Sequence, residues 1–137
     1  MTKLVVMGVA GSGKSVLARR LAQMLDCPML EGDDFHLPAS QEKMRAGIAL
    51  DDTDRGPWLL RLGQSLADSA GPVVLSCSAL KRSYRDQLRA FVAGLRFVYI
   101  EIDVQTAARR VEARSGHLFP ISLVTSQFAA LESPLAE

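Results

Sequence analysis

The sequence predicts an α/β fold, a three-layer sandwich around a mostly parallel sheet. Two observations carry this reading. Short continuous apolar runs alternate with longer stretches whose apolar residues recur three and four apart, along the whole chain. The runs lack polar alternation, as expected of strands covered on both faces, and parallel neighbours need crossover helices between them.

In chain order, Val5 to Met7 extend Leu4 into an apolar run that stops at Gly8, the first strand. Val16, Leu17, Leu21, Met24 and Leu25 then fall at helical spacing, and Pro28 marks the end of that helix before a short Met29–Leu30 strand running into acids. The stretch from 34 to 56 is weakly periodic apart from a helix over Ser40–Ala46, and it is too long for an idle connection. It reads as a substrate-binding insertion. Pro57 suits the first turn of a helix that places Leu59, Leu62 and Leu66 on one face, and Gly71-Pro72 closes it before the strand VVLSC. Tyr84, Leu88 and Phe91 mark a further helix, FVYIEI a further strand, and Val104, Ala107, Ala108 and Val111 another helical stripe. A last helix runs through Leu123, Gln127, Phe128 and Leu131. With no repeat, linker or low-complexity tract, residues 1–137 form one domain.

Composition narrows the function. Sixteen Lys and Arg balance fifteen Asp and Glu, and 48% of residues are hydrophobic, which argues against disorder and against a nucleic-acid partner. The balance hides an asymmetry: seven acids against two bases from Glu31 to Asp54, and eight bases against four acids from Lys81 to Arg114. A phosphate-transfer site needs both signs. Cys27 and Cys77 sit in apolar runs without metal-ligand spacing, as buried thiols of a reducing compartment do. No apolar run reaches the roughly 18 residues of a membrane span, and the amino terminus lacks a secretory pattern. The expectation is a cytoplasmic protein without a membrane partner.

Gly8, Gly13, Lys14 and Ser15 satisfy GxxxxGK[ST] between an apolar strand and an amphipathic helix, the context that makes this motif specific. The loop Gly8, Val9, Ala10, Gly11, Ser12, Gly13, Lys14, Ser15 is therefore predicted to bind a nucleoside triphosphate, ATP or GTP. Backbone N–H groups and the helix dipole take the phosphate oxygens, Lys14 reaches the β and γ phosphates, and the Ser15 hydroxyl ligates Mg²⁺. A second carboxylate should support the metal, yet VVLSCS ends without one. The substitute is EGDD, where Glu31 and Asp33 stand two apart and would share one side of an extended segment. Asp33 is then the candidate proton acceptor for an attacking hydroxyl. His36 either binds substrate or caps a loop. Glu101 and Asp103 read as caps of the following helix, and Trp58 as core.

Five segments together resemble a known family: GVAGSGKS, EGDDFHLPASQEKMRAGIALDDTDRGPWL, SCSALKRSYRDQLR, RRVEARSGHLF and VTSQFAALESP. They are similar to the bacterial gluconokinases of the short P-loop type, relatives of shikimate kinase, from residue 4 to about 134. The resemblance implies transfer of the γ-phosphate of ATP, with Mg²⁺, to the 6-hydroxyl of D-gluconate. It makes Asp33 the base or hydroxyl acceptor and sets Glu31 where the family commonly has Asp. Lys43, Arg45, Arg55, Lys81 and Arg85 become candidates for gripping gluconate, with His36 and His117 beside them. It further implies a lid over about 112–122 with Gly116 as a hinge, nucleotide contacts from Arg110 and Arg114, and a homodimer. The family ordinarily continues past LESP with another strand and helix, which these 137 residues do not contain. A kinase for another hydroxy acid such as shikimate, or a nucleotide-binding module without turnover, stand as the alternatives.

Overall fold

The computed structural model describes residues 2–113 and 123–137. Four strands, β1 (Lys3–Met7), β2 (Met29–Glu31), β3 (Val73–Ser76) and β4 (Arg96–Tyr99), form one sheet in the order β2-β3-β1-β4. Every pairing is parallel, with Val5 opposite Leu75 on one side and Phe97 on the other. Six α-helices connect them: α1 (Lys14–Leu25), α2 (Pro38–Arg45), α3 (Asp52–Asp68), α4 (Arg82–Arg89), α5 (Val104–Ala113) and α6 (Val124–Ala130).

The strands' period of two builds the three layers. Val5, Met7, Val73 and Leu75 pack on Trp58, Leu59, Leu62 and Leu66 of α3 and Tyr84 and Leu88 of α4. The intervening Val6 and Val74 face Ala18 and Ala22 of α1 on the opposite side. Both faces of the central strands are thus fully covered, which is why they read as unbroken apolar runs. Leu62 and Leu66 are completely buried, and each contributes about 1.5–3 kcal/mol through the area it removes from water. A third cluster, Val9, Ala10, Leu80, Ala107, Val111 and Val124, draws α5 and α6 onto the loop that leaves β1.

Several expectations shift. The helix expected from Pro57 begins at Asp52, because Asp51 and Asp54 form a reciprocal capping box; Pro57 then lies inside the helix. The irregular part of the 34–56 stretch is correspondingly shorter, and it contains α2 from Pro38. Glu31 and Asp33 do not share an extended segment: the chain leaves β2 at Glu31 and turns into a 3₁₀ turn over Gly32–Phe35. Cys77 is buried, and burial pushes its thiol up to about 12, whereas Cys27 at the end of α1 is only half-buried. Asp103 caps α5 by accepting the Thr106 N–H at 2.7 Å. The lid expected over 112–122 falls, from 114 onward, outside the described residues.

Candidate active site

The carboxyl ends of β1, β2 and β3 meet around the loop that connects β1 to α1. Gly11 and Gly13 there adopt φ of 81° and 90°, conformations that a side chain would strain. A Cβ on Gly11 would also stand 2.8 Å from the Ala107 carbonyl oxygen. Two helices brace the loop from outside: Gln127 Oε1 of α6 accepts the Ala10 N–H at 2.7 Å, and Arg110 of α5 donates to the Gly11 carbonyl at 3.1 Å.

The loop separates two hollows. An open cleft of about 780 Å³ runs along its outer side, lined among others by Ser12, Gly13, Val16, Arg20, Ile100 and Arg110. On the inner side, a more enclosed cavity joins Lys14 and Ser15 to Asp33, His36, Arg55 and Trp58. Met44, Leu50 and Leu123, a small apolar cluster between α2 and the start of α6, form part of its wall.

Helix α3 holds the acidic turn in place. Trp58 Nε1 donates to the Gly32 carbonyl at 2.8 Å, Arg61 donates to the Phe35 carbonyl at 2.8 Å, and the His36 ring stacks on Trp58 with centroids 4.2 Å apart. Gly32 is required by close approach, since a Cβ there would lie 2.4 Å from the Ser76 carbonyl oxygen. Trp58 is 1% exposed. It is therefore core, as expected, and at the same time a wall of the cavity.

At the inner end of the cavity, Ser15 Oγ donates to Glu31 Oε2 at 2.7 Å and lies 3.3 Å from Ser76 Oγ. Glu31 Oε1 is buried without a hydrogen-bond partner among the described residues. Ser76 ends β3, where the expected Asp is missing; the acid comes from β2 instead. An orphaned carboxylate oxygen beside a serine hydroxyl is a hard-oxygen pair that fits Mg²⁺, which binds through one or two protein ligands plus phosphates and water. Among the described residues no group of three or more His, Cys, Asp or Glu gathers that could cage an ion without such help.

His36 is 6% exposed, and burial pushes its pKa down to about 4, with Arg55 lowering it further and Asp33 opposing. The ring is therefore neutral near pH 7, and its Nδ1 is buried without a hydrogen-bond partner among the described residues.

The structure does not bring the remaining basic candidates into this cavity. Lys43 is held by both oxygens of Asp54 at 2.9 Å, tying α2 to α3. Arg45 is exposed and pairs with Glu42 at 3.3 Å. Lys81 pairs with Asp52 at 3.2 Å above the Tyr84 ring. Arg85 is fully buried and donates to the carbonyls of Ala79, Leu80 and Glu132 and to the Glu137 carboxylate, a structural bolt rather than a cavity wall. Arg114 and His117 lie outside the described residues.

Comparison with known proteins follows the same lines. The AAA domain family matches residues 4–135. A gluconokinase of Gluconobacter oxydans is 48% identical over 134 residues, covering 96% of this chain and 75% of the relative. This chain belongs to the gluconokinase family. The thermosensitive gluconokinase of Escherichia coli is 40% identical over 97% of this chain and 73% of its own length. A gluconokinase crystal structure from Sinorhizobium meliloti superposes with a TM-score of 0.90 at 47% identity, covering 99% of this chain and 78% of that one. The α/β sandwich expected from the sequence is thus the family's fold.

Two contributors to this gluconokinase-family site escaped the sequence. Gln127 is placed by the sequence only on the last helix, although a lone amide among Leu123, Phe128 and Leu131 is the signature of a buried polar contact. Tyr84 marks a helix in the sequence; in the fold its ring is core, while its hydroxyl donates to Asp52 and accepts from Arg55 at 3.4 Å.

Proposed function

We propose that the protein transfers the γ-phosphoryl group of ATP to the 6-hydroxyl of D-gluconate, giving 6-phospho-D-gluconate and ADP. The observation that supports it best is a single cavity in which the phosphate-loop Lys14 shares walls with Asp33, His36 and Arg55, in a chain of the gluconokinase family.

Each residue has a defined task in this reading. The loop amides and the α1 amino terminus take the phosphates, and Lys14 follows the γ-phosphate as charge shifts toward the β–γ bridge. Arg110 and the outer cleft serve the nucleotide. Ser15 and Glu31 would hold Mg²⁺, which when bound would neutralise charge on the phosphate oxygens. Arg55 takes the gluconate carboxylate, since a planar guanidinium matches it in two hydrogen bonds. Neutral His36 meets a hydroxyl of the polyol chain. Asp33 accepts the proton as the 6-hydroxyl oxygen bonds to the γ-phosphorus and the bond to the ADP oxygen breaks. The apolar wall of Met44, Leu50 and Leu123 helps exclude competing water.

No helix among the described residues is long and apolar enough to cross a membrane. The same reading makes the protein a cytoplasmic enzyme, and the family resemblance makes it a homodimer. The test is ADP release in Mg·ATP across a panel of acceptors: gluconate, shikimate, glucose and buffer alone. Stimulation confined to gluconate supports the assignment, and a response to shikimate alone refutes it.

A further inference from the structure

Arg55 stands in the first turn of α3 and lines the acceptor cavity. One terminal nitrogen of its guanidinium is committed: Nη1 donates to the Leu50 carbonyl at 2.6 Å and to the Tyr84 hydroxyl at 3.4 Å. Among the described residues, Nε and Nη2 take no partner. Of the five N–H groups two are spent, and two of the three that remain form the Nε–Nη2 edge, one of the two edges able to grip a carboxylate in parallel bonds.

A long arginine side chain offers that edge in a fixed direction only if something holds the plane. Tyr84 is placed to do so. Its ring is 2% exposed and packed in the core, and the Arg55 guanidinium carbon lies 5.4 Å above it. Its hydroxyl donates to Asp52, which orients its lone pairs toward Arg55. Asp52 is in turn fixed by Lys81 at 3.2 Å. The chain of partners Lys81–Asp52–Tyr84–Arg55 therefore runs from the surface to the cavity wall. It also accounts for Lys81, whose charge is satisfied by Asp52.

We infer that Tyr84 is a positioning residue for acceptor binding: it fixes the guanidinium plane of Arg55 so that the Nε–Nη2 edge meets the carboxylate of the sugar acid. This rests on the gluconate reading above. Tyr84 touches no reacting atom, so its loss weakens the acceptor and leaves the nucleotide side alone.

The experiment is steady-state kinetics on the wild-type protein, Tyr84→Phe, Arg55→Lys and the double variant, with thermal midpoints for each. Phe keeps the buried ring and removes one hydrogen-bonding group, an effect of about threefold to tenfold. The inference expects KM for gluconate to rise by that factor in Tyr84→Phe with KM for ATP within about twofold. It also expects the two substitutions to be non-additive, because both act on one contact. An unchanged gluconate KM, equal rises in both KM values, or full additivity with Arg55→Lys would overturn it. Should Tyr84→Phe fail to fold, Asp52→Asn probes the same chain from its exposed end with the same expected split. A wild-type protein inert toward gluconate would instead defeat the functional assignment, so the two failures are told apart.

Discussion

Ser15 Oγ donates to Glu31 Oε2 at 2.7 Å, joining the first turn of α1 to the end of β2. The phosphate loop and the acidic strand end are thereby one unit, and the other Glu31 oxygen stays buried without a partner among the described residues. Glu31→Gln keeps the size and removes the charge. We expect it to raise the Mg²⁺ concentration for half-maximal rate by about tenfold or more, in line with losses at residues that support a bound metal. Rate against free Mg²⁺ at saturating ATP checks this, and an unshifted curve would remove Glu31 from the metal's surroundings.

Lys14→Ala should abolish nearly all phosphoryl transfer while leaving the fold intact. Lys14 opens α1 and lines the cavity, and its aliphatic stem fills no buried core. Circular dichroism and a thermal midpoint close to wild type, together with loss of ADP formation, are the expected pair.

Asp33→Asn separates chemistry from binding. Loss of a positioned proton acceptor costs about 10²–10⁴ in rate, whereas Asp33 lines the inner cavity and not the outer cleft proposed to serve the nucleotide. We expect kcat to fall by that order with KM for ATP little changed. Equal losses in kcat and ATP affinity would give Asp33 a metal role instead.

His36 makes stability depend on pH in a defined direction. Its folded pKa, about 4, lies below the unfolded value of 6.5, so the unfolded chain binds the extra proton and stability rises with pH. The contribution is fully present above about pH 6.5 and is lost as pH falls toward 4; its size is of the order of a few kcal/mol. Urea midpoints at pH 7 and pH 4.5 should differ less in His36→Gln than in wild type. A variant with undiminished pH dependence would assign that dependence to other groups.

Much of this was legible in the sequence because the informative signals were local. The strand-to-helix phosphate loop and the four apolar strands follow from runs and spacings of neighbouring residues, whereas the turn after Glu31 replaces an expected extended segment. What the sequence left hidden was long-range. Arg85 carries the same charge as Arg55 and lies in an equally polar segment, but only the fold shows it aimed at three carbonyls in the interior. Lys43 and Lys81 are candidates for gripping gluconate in the sequence, and only the fold sets Asp54 and Asp52 of α3 beside them. The helix start at Asp52 was missed because Pro57 drew attention from the capping box that Asp51 and Asp54 make.

The buried placement of Arg85 yields its own prediction. Arg85→Ala leaves those carbonyls unpaired and should destabilise the protein by about 3 kcal/mol or more. Per folded molecule, gluconate KM should stay near wild type. A stable variant with a raised gluconate KM would return Arg85 to the acceptor site.

The central claim is that a phosphate held by the loop at Lys14 passes to an acid-bearing alcohol lying against Asp33 and Arg55. Phosphorus NMR of wild-type protein with Mg·ATP and gluconate tests it most directly. The account predicts one phosphomonoester signal growing in step with ADP, coupled to the C6 methylene protons of the product and absent without gluconate. Inorganic phosphate as the only new signal, or no ATP loss in the presence of gluconate, would contradict it.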